Sequence, residues 1–183
     1  MMGQLEHVRI TDRLTGGTEF EGEEIARVST RNGAPGQALS RPRHRWGENV
    51  IWKLESGRYV LLRSAYSTIY HTQPTTCTVA GGSQSGDIAT VSDLPDDAFP
   101  CWVCKPEYPG ELGDGEKIRF EFPRQTIDQC ETPAQVIQRL VNSRKYSGVQ
   151  STALPEPARD LIEQAMENDP DFSASEMPVQ RIV

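Results

Sequence analysis

No stretch of this 183-residue chain approaches the roughly 18 consecutive apolar residues that a membrane-spanning helix needs, so a helical membrane protein is not expected. The opening residues, MMGQLEHVRITDRL, carry no apolar segment of the secretory kind, and a cytoplasmic setting is the expectation. Hydrophobic residues are sparse, at 36%, against fifteen glycines and thirteen prolines, which implies a modest core and many turns. Cysteine is limited to four residues. In a reducing compartment these are expected as thiols or metal ligands rather than as two disulfides. The glycine-containing segment 81–87 lacks the Gly-Lys-Ser/Thr ending of a phosphate-binding loop and reads as a polar turn. There is no internal repeat.

Charge is distributed unevenly. Residues 1–26 hold two basic and six acidic groups, residues 27–63 eight basic and two acidic, and residues 64–183 nine basic and eighteen acidic. The middle block has two readings. It is either a face for an anion or nucleic acid, or a solvated surface whose charges are balanced elsewhere. Within it, Asn32 to Arg45 is polar, basic and rich in Gly and Pro, as an exposed loop would be.

The strongest strand signals are Val50–Leu54 and Arg58–Arg63, which flank Glu55-Ser56-Gly57 as a hairpin. Val8–Ile10 and Thr18–Thr30 are further strand candidates, and Tyr66–His71 continues the sheet after a kink, delivering His71 from a strand end. Asp93–Phe99 is expected as a helical turn with carboxylates at its N-terminus, and Ile118–Phe122 alternates as a strand does. From Thr132 the period becomes helical. Thr132 is the expected N-cap, with Pro133 at the first helical position and Gln135 completing a capping box. Val136, Ile137, Leu140 and Val141 form its stripe, and Gly148 follows its end. A second helix is expected over Glu156–Asn168, opened by Pro157 and stopped by Asp169-Pro170, with a polar tail beyond.

His71, Cys77, Cys101 and Cys104 have spacings that suit one tetrahedral Zn2+. A Cys-x2-Cys pair can grip a metal from a single turn, and the His71/Cys77 pair would close a loop onto it. Redox motifs share the Cys-x2-Cys spacing, but they expect a strand-to-helix context, whereas Lys105-Pro106 and Pro109-Gly110 continue a loop here. Cys130 competes with His71 for the last ligand position. It stands just before the expected N-cap, where an apolar residue packs back on its own helix, so it is assigned to the core. His7 and His44 are expected at the surface.

The string Ile69-Tyr70-His71, Cys77 and Phe99-Pro100-Cys101-Trp102-Val103-Cys104-Lys105-Pro106 resembles the metal-binding domain of Ada-type DNA-repair proteins. It is still more similar to the His/Cys variants of that module appended to bacterial nucleases. The resemblance covers residues 69–106 and is most specific at PCxxCKP. It implies a first ligand pair on a strand and loop, a short helix, and a closed structural zinc site. In the repair proteins the first ligand is a methyl-accepting cysteine. His71 occupies the matching position, so methyl transfer is not implied.

No active site emerges. Cys130 has no catalytic signature around it, four filled positions leave a zinc closed, and Asp96 and Asp97, adjacent in sequence, point apart on a helix. The expectation is an α+β chain. Residues 1–126 form a β-rich part carrying the zinc module 69–106, and residues 127–183 a helical part with a polar tail. Three functions stay open. The first is a non-enzymatic zinc-stabilised module contacting nucleic acid or a nucleoprotein through Arg31, Arg41, Arg43 and Arg45. The second is a protein-interaction or regulatory factor of a phage or mobile element, acting through its acidic surface. The third is a hydrolase or nuclease with an unrecognised site.

Overall fold

The structure, a computed structural model, describes residues 5–10, 17–32, 44–71, 88–90, 96–103, 117–120, 124–142 and 156–174. Its centre is an antiparallel sheet in the order β1(Glu6–Ile10), β2(Thr18–Ser29), β3(Arg45–Leu54), β4(Tyr59–Ser67), β9(Arg124–Cys130). A second, smaller sheet follows the order β6(Ile88–Thr90), β8(Lys117–Phe120), β5(Ile69–His71), β7(Phe99–Pro100). Three helices close the chain: α1(Pro133–Asn142), α2(Glu156–Asn168) and α3(Pro170–Ser173). The architecture is thus α+β, and no helix among the described residues is long and apolar enough to cross a membrane.

The β3–β4 hairpin forms where expected but is longer at both far ends. Its register runs from Lys53↔Tyr59 to Arg45↔Ser67. Gly57 takes a positive φ of 80° in the connecting turn, a conformation that L side chains rarely adopt. Alternation then divides the sheet. Ile51, Tyr59 and Leu61 join Ile25, Val28 and Cys130 on the face covered by the helices. Val50, Trp52, Val60 and Leu62 form a second cluster on the opposite face, with Val8, Ile10, Phe20 and Ile127. A sheet apolar on both faces must be covered on both.

The second face is covered in part by the sheet curling on itself. The Trp52 backbone pairs with Glu24, yet its ring meets Phe20, four residues away on β2, at 5.9 Å edge to face. Two features of β2 permit this bend. At Gly22 the strand passes so close to β3 that a Cβ there would sit 3.0 Å from the Lys53 carbonyl oxygen. Between Glu24 and Ala26 the register shifts by one residue, a β-bulge. A bulge leaves backbone groups without ladder partners, and α2 supplies them. Asn168 donates its amide to the Ile25 carbonyl (2.9 Å), and the Arg27 N–H donates to the Gln164 side chain (3.2 Å).

α1 begins as its sequence dictates, with the Gln135 N–H donating to Thr132 Oγ1. The return bond differs from a standard capping box. The Gln135 side chain accepts from the N–H of Glu131, one residue earlier than the cap. α2 spans Glu156–Asn168 and buries Ala158, Leu161, Ile162 and Ala165. Asp169-Pro170 does end α2, but the chain then starts α3 rather than a free tail. Asp169 is the α3 N-cap, Pro170 opens the helix, and Phe172 is buried edge to face against Tyr59 at 5.2 Å. β9 was not expected from the sequence, and neither was β7, because Phe99 belongs to a strand instead of ending a helical turn. The expected turn at 81–87, residues 91–95 and Gly148 lie outside the described residues.

The buried carboxylate of Asp169 ties α3 to the sheet. It accepts from Lys53 Nζ (2.7 Å) and from the Tyr59 hydroxyl (2.8 Å), while Asp171 accepts from the same ammonium at 2.7 Å. Burial works against the Lys53 charge, but the hydrogen bonds to Asp169 and Asp171 outweigh it and hold the ammonium above its ordinary range. Burial, then the bond to Asp169, pushes the Tyr59 phenol upward, and the bond from Lys53 holds Asp171 below the usual carboxylate range. Raised groups stabilise the fold fully below their unfolded values, here about 10, and lose that contribution as pH rises. The depressed Asp171 stabilises above about 3.8 and loses its contribution as pH falls through its folded value. Stability from this cluster therefore spans a plateau between those limits. Asp169→Ala should lower the unfolding free energy by about 3 kcal/mol at neutral pH and flatten the alkaline limb, read from urea midpoints across pH. Gly22→Val should cost about 2 kcal/mol or more by overpacking against a backbone oxygen that has no room to move, seen as a lower thermal midpoint.

Candidate metal centre and its aromatic surround

The β4–β5 run crosses from the large sheet to the small one at Thr68. The ladder between β4 and β9 has Ala65↔Arg124, and that between β5 and β8 has Tyr70↔Phe120. The Ser67 hydroxyl accepts the Ile69 N–H there (3.1 Å). Thr68 is tied on both sides: its N–H donates to the His44 carbonyl (2.9 Å), and its carbonyl accepts from Phe99 (3.0 Å).

This crossing brings two expected ligands together. β5 and β7 pair in parallel, Ile69↔Phe99 and Tyr70↔Pro100, and the Cys101 N–H donates to the Tyr70 carbonyl at 3.0 Å. Extending that register by one residue sets Cys101 abreast of His71. Both are buried, at 1% and 2% exposure. Pro100 suits this edge strand. The N–H groups of Phe99 and Cys101 face β5, so the one that proline lacks would have pointed away from the ladder. A neighbouring imidazole and thiol are the donor types zinc selects. Cys77 and Cys104 lie outside the described residues. Among the described residues, no group of three or more His, Cys, Asp or Glu side chains could hold an ion.

Cys130 sits elsewhere. It pairs with Tyr59 at the opposite end of the β4–β5 run and is buried in the helix-covered core. The thirteen residues from Tyr59 to His71 would span roughly 40 Å as straight strand. Burial, then the carboxylate of Asp128, pushes the Cys130 thiol up, which is the reverse of what a nucleophile needs.

Beside the β4–β5 crossing lies a cluster of aromatic and cationic side chains. Trp46 and Tyr66, cross-strand partners in β3 and β4, stack at 5.4 Å and 22°. The Arg31 guanidinium lies 4.4 Å from the centre of the Trp46 ring and forms an ion pair with Asp97. His44 stacks on Phe99 at 4.1 Å, and its Nδ1 is 3.1 Å from Thr68 Oγ1. His44 is therefore half-buried in this cluster, while His7 is at the surface beside Glu21. Trp102 follows Cys101 in a turn and is 71% exposed.

Among the described residues, most cations of the basic block are balanced by carboxylates in space. Arg27 is gripped by Glu24 and Glu48, with contacts of 2.5 and 2.6 Å. Arg31 meets Asp97, Lys53 meets Asp169 and Asp171, Arg58 meets Glu131 at 3.7 Å, and Arg63 meets Asp128 at 2.5 Å. Arg45 is exposed at the start of β3, and Arg41 and Arg43 lie outside the described residues. Sequence reasoning did not single out Trp102, Phe99 or Asp97 as surface or pairing partners, and it placed His44 at the surface rather than against Phe99 and Thr68. The one available signal was the crowding of aromatic residues around the Cys-x2-Cys segment.

No family model, curated protein or solved structure matches the chain. Chemical labelling tests the placement of Cys130. A small alkylating reagent at neutral pH should leave it unmodified in the folded protein and modify it fully after denaturation, as read by mass spectrometry. Rapid labelling of the native state would contradict a buried thiol.

Proposed function

We propose that this chain is a non-enzymatic, zinc-stabilised binding module that contacts nucleic acid. The observation that carries the reading is the buried His71 set abreast of Cys101 by the parallel β5–β7 pair. His71, Cys77, Cys101 and Cys104 would hold Zn2+, and the bound ion would cross-link the end of a central strand to the loop beyond an edge strand. Binding energy of such an ion is folding energy for the segment that it closes. Phosphate contacts would come from Arg31, Arg41, Arg43 and Arg45, with Arg31 exchanging Asp97 for a phosphate oxygen.

A second reading has its own support. Among the described residues, Arg27, Arg31, Lys53, Arg58 and Arg63 of the 27–63 block are matched by carboxylates from Glu24, Glu48, Asp97, Asp128, Glu131, Asp169 and Asp171, while the chain as a whole carries a net −7. An acidic surface of that kind suits a basic protein partner, as a regulatory factor of a phage or mobile element would meet.

Metal content tests the zinc site, and salt-dependent DNA binding separates the two readings. Purified wild-type protein is expected to hold about one zinc per chain, the number a single four-ligand site takes. His71→Ala and Cys104→Ser should lose it and Cys130→Ser should keep it. Binding to DNA should weaken with added salt, and Arg41→Ala or Arg43→Ala should make that salt slope shallower. Zinc-free wild-type protein would remove the metal reading. Zinc without any salt-dependent DNA binding would leave the protein-partner reading in its place.

A further inference from the structure

We infer that the nucleic acid this module takes is single-stranded, held by a base stacked on Trp102 at the edge of the small sheet. The inference rests on the nucleic-acid reading above and specifies its substrate. Trp102 exposes 71% of its surface, yet it is not on a loose tether. The preceding residue, Cys101, is buried at 1%, and its N–H is hydrogen-bonded to Tyr70 on the central strand. Three residues earlier on the same edge, Phe99 is 38% exposed and carries His44 stacked on one face at 4.1 Å. Arg31, ion-paired with Asp97 two residues before Phe99, lies over the ring of Trp46, which stacks on Tyr66. Apart from Leu5 on the lead-in to β1, Phe99 and Trp102 are the exposed large hydrophobic residues described.

This surface offers an exposed indole and a half-exposed phenyl ring, together with a stacked Trp46–Tyr66 pair that carries the Arg31 guanidinium. Proteins that bind single strands without duplex structure use such faces, because every unpaired base has a π surface to stack. A duplex presents phosphates and groove edges instead, and needs available cations to neutralise a dense charge. Here Arg27, Arg31, Lys53, Arg58 and Arg63 already hold carboxylates, and the chain carries a net −7. Repulsion from that charge acts more strongly on a duplex, with two phosphates per base-pair step, than on one strand. Stacking, being uncharged, is not weakened by it. An apolar protein partner would instead want a contiguous aliphatic patch, and the exposed large side chains of this edge are the aromatic rings of Phe99 and Trp102.

The test is fluorescence anisotropy of a labelled oligo-dT of about 15 nucleotides and of a duplex of equal length, at one ionic strength, with the full-length protein. The single strand should bind at least about tenfold more tightly than the duplex, Trp102→Ala should weaken single-strand binding about tenfold or more, and Trp102→Phe should retain most of it. Because the ring is exposed, circular dichroism and thermal midpoint of both variants should match wild type. Single-strand binding unchanged by Trp102→Ala, or a duplex bound equally well, would overturn the single-strand inference while leaving the nucleic-acid reading intact. Absence of binding to either probe would overturn both.

Discussion

One unbroken run of backbone, Tyr59 to His71, sets most of this structure. Its first part is an inner strand of the large sheet, paired with β3 on one side and β9 on the other. Its second half is central in the small sheet, between β8 and β7. Alternation along Tyr59, Val60, Leu61 and Leu62 feeds both hydrophobic clusters in turn. A one-residue change in that pairing would exchange the two faces, placing Tyr59 away from Asp169 and Val60 against the helices. The same run carries His71 to its place beside Cys101. The core and the proposed metal centre therefore share a register, and an error in one is an error in the other.

What could be read in the sequence was whatever depends on near neighbours. The hairpin around Gly57, the strands that begin at Glu6 and Thr18, and the helices that begin at Pro133 and Glu156 all follow from alternation, periodicity and caps. β9 was illegible because Gln125, Thr126, Asp128 and Gln129 leave little apolar signal. Its strand character comes from pairing with β4, nearly 60 residues earlier in the chain. α3 was hidden for a related reason. Asp169-Pro170 is a stop signal for α2, yet the same Asp is a cap for the next turn once Lys53 and Tyr59 neutralise its buried carboxylate. At the candidate site, sequence spacing proposed the residue pairings, while the parallel β5–β7 contact that sets His71 abreast of Cys101 is a long-range event that spacing alone does not specify.

Charge shows the same division between local pattern and distant pairing. A block of eight basic and two acidic residues looks like an anion-binding face when read linearly. In three dimensions, strands of opposite direction and a helix 100 residues onward supply a carboxylate to most of its described cations. Several of those pairs are half-buried, where an unmatched cation would be costly. The block is thus in large part internal electrostatics of the fold, distributed across β2, β3, β4 and α3. This limits how much phosphate attraction the described surface can supply, and it shifts weight onto recognition that does not depend on net charge.

The proposed metal centre and the exposed indole then become parts of one device. Stacking is useful only if the ring is presented without a large loss of conformational freedom on binding. Trp102 lies between Cys101 and Cys104, so a zinc held by both would fix its backbone from either side. The Cys101 hydrogen bond to Tyr70 already fixes one end in the described structure. On this view the Cys-Trp-Val-Cys turn is short because it must hold a metal inward and a ring outward at once. Two intervening residues suffice for a ligand turn, and the first of them is directed to solvent by the burial of its predecessor. Removing the metal would then weaken stacking through the backbone of Trp102, while replacing Trp102 would leave the metal in place. That asymmetry is what distinguishes a ring mounted on a metal site from a metal site that merely has an aromatic neighbour.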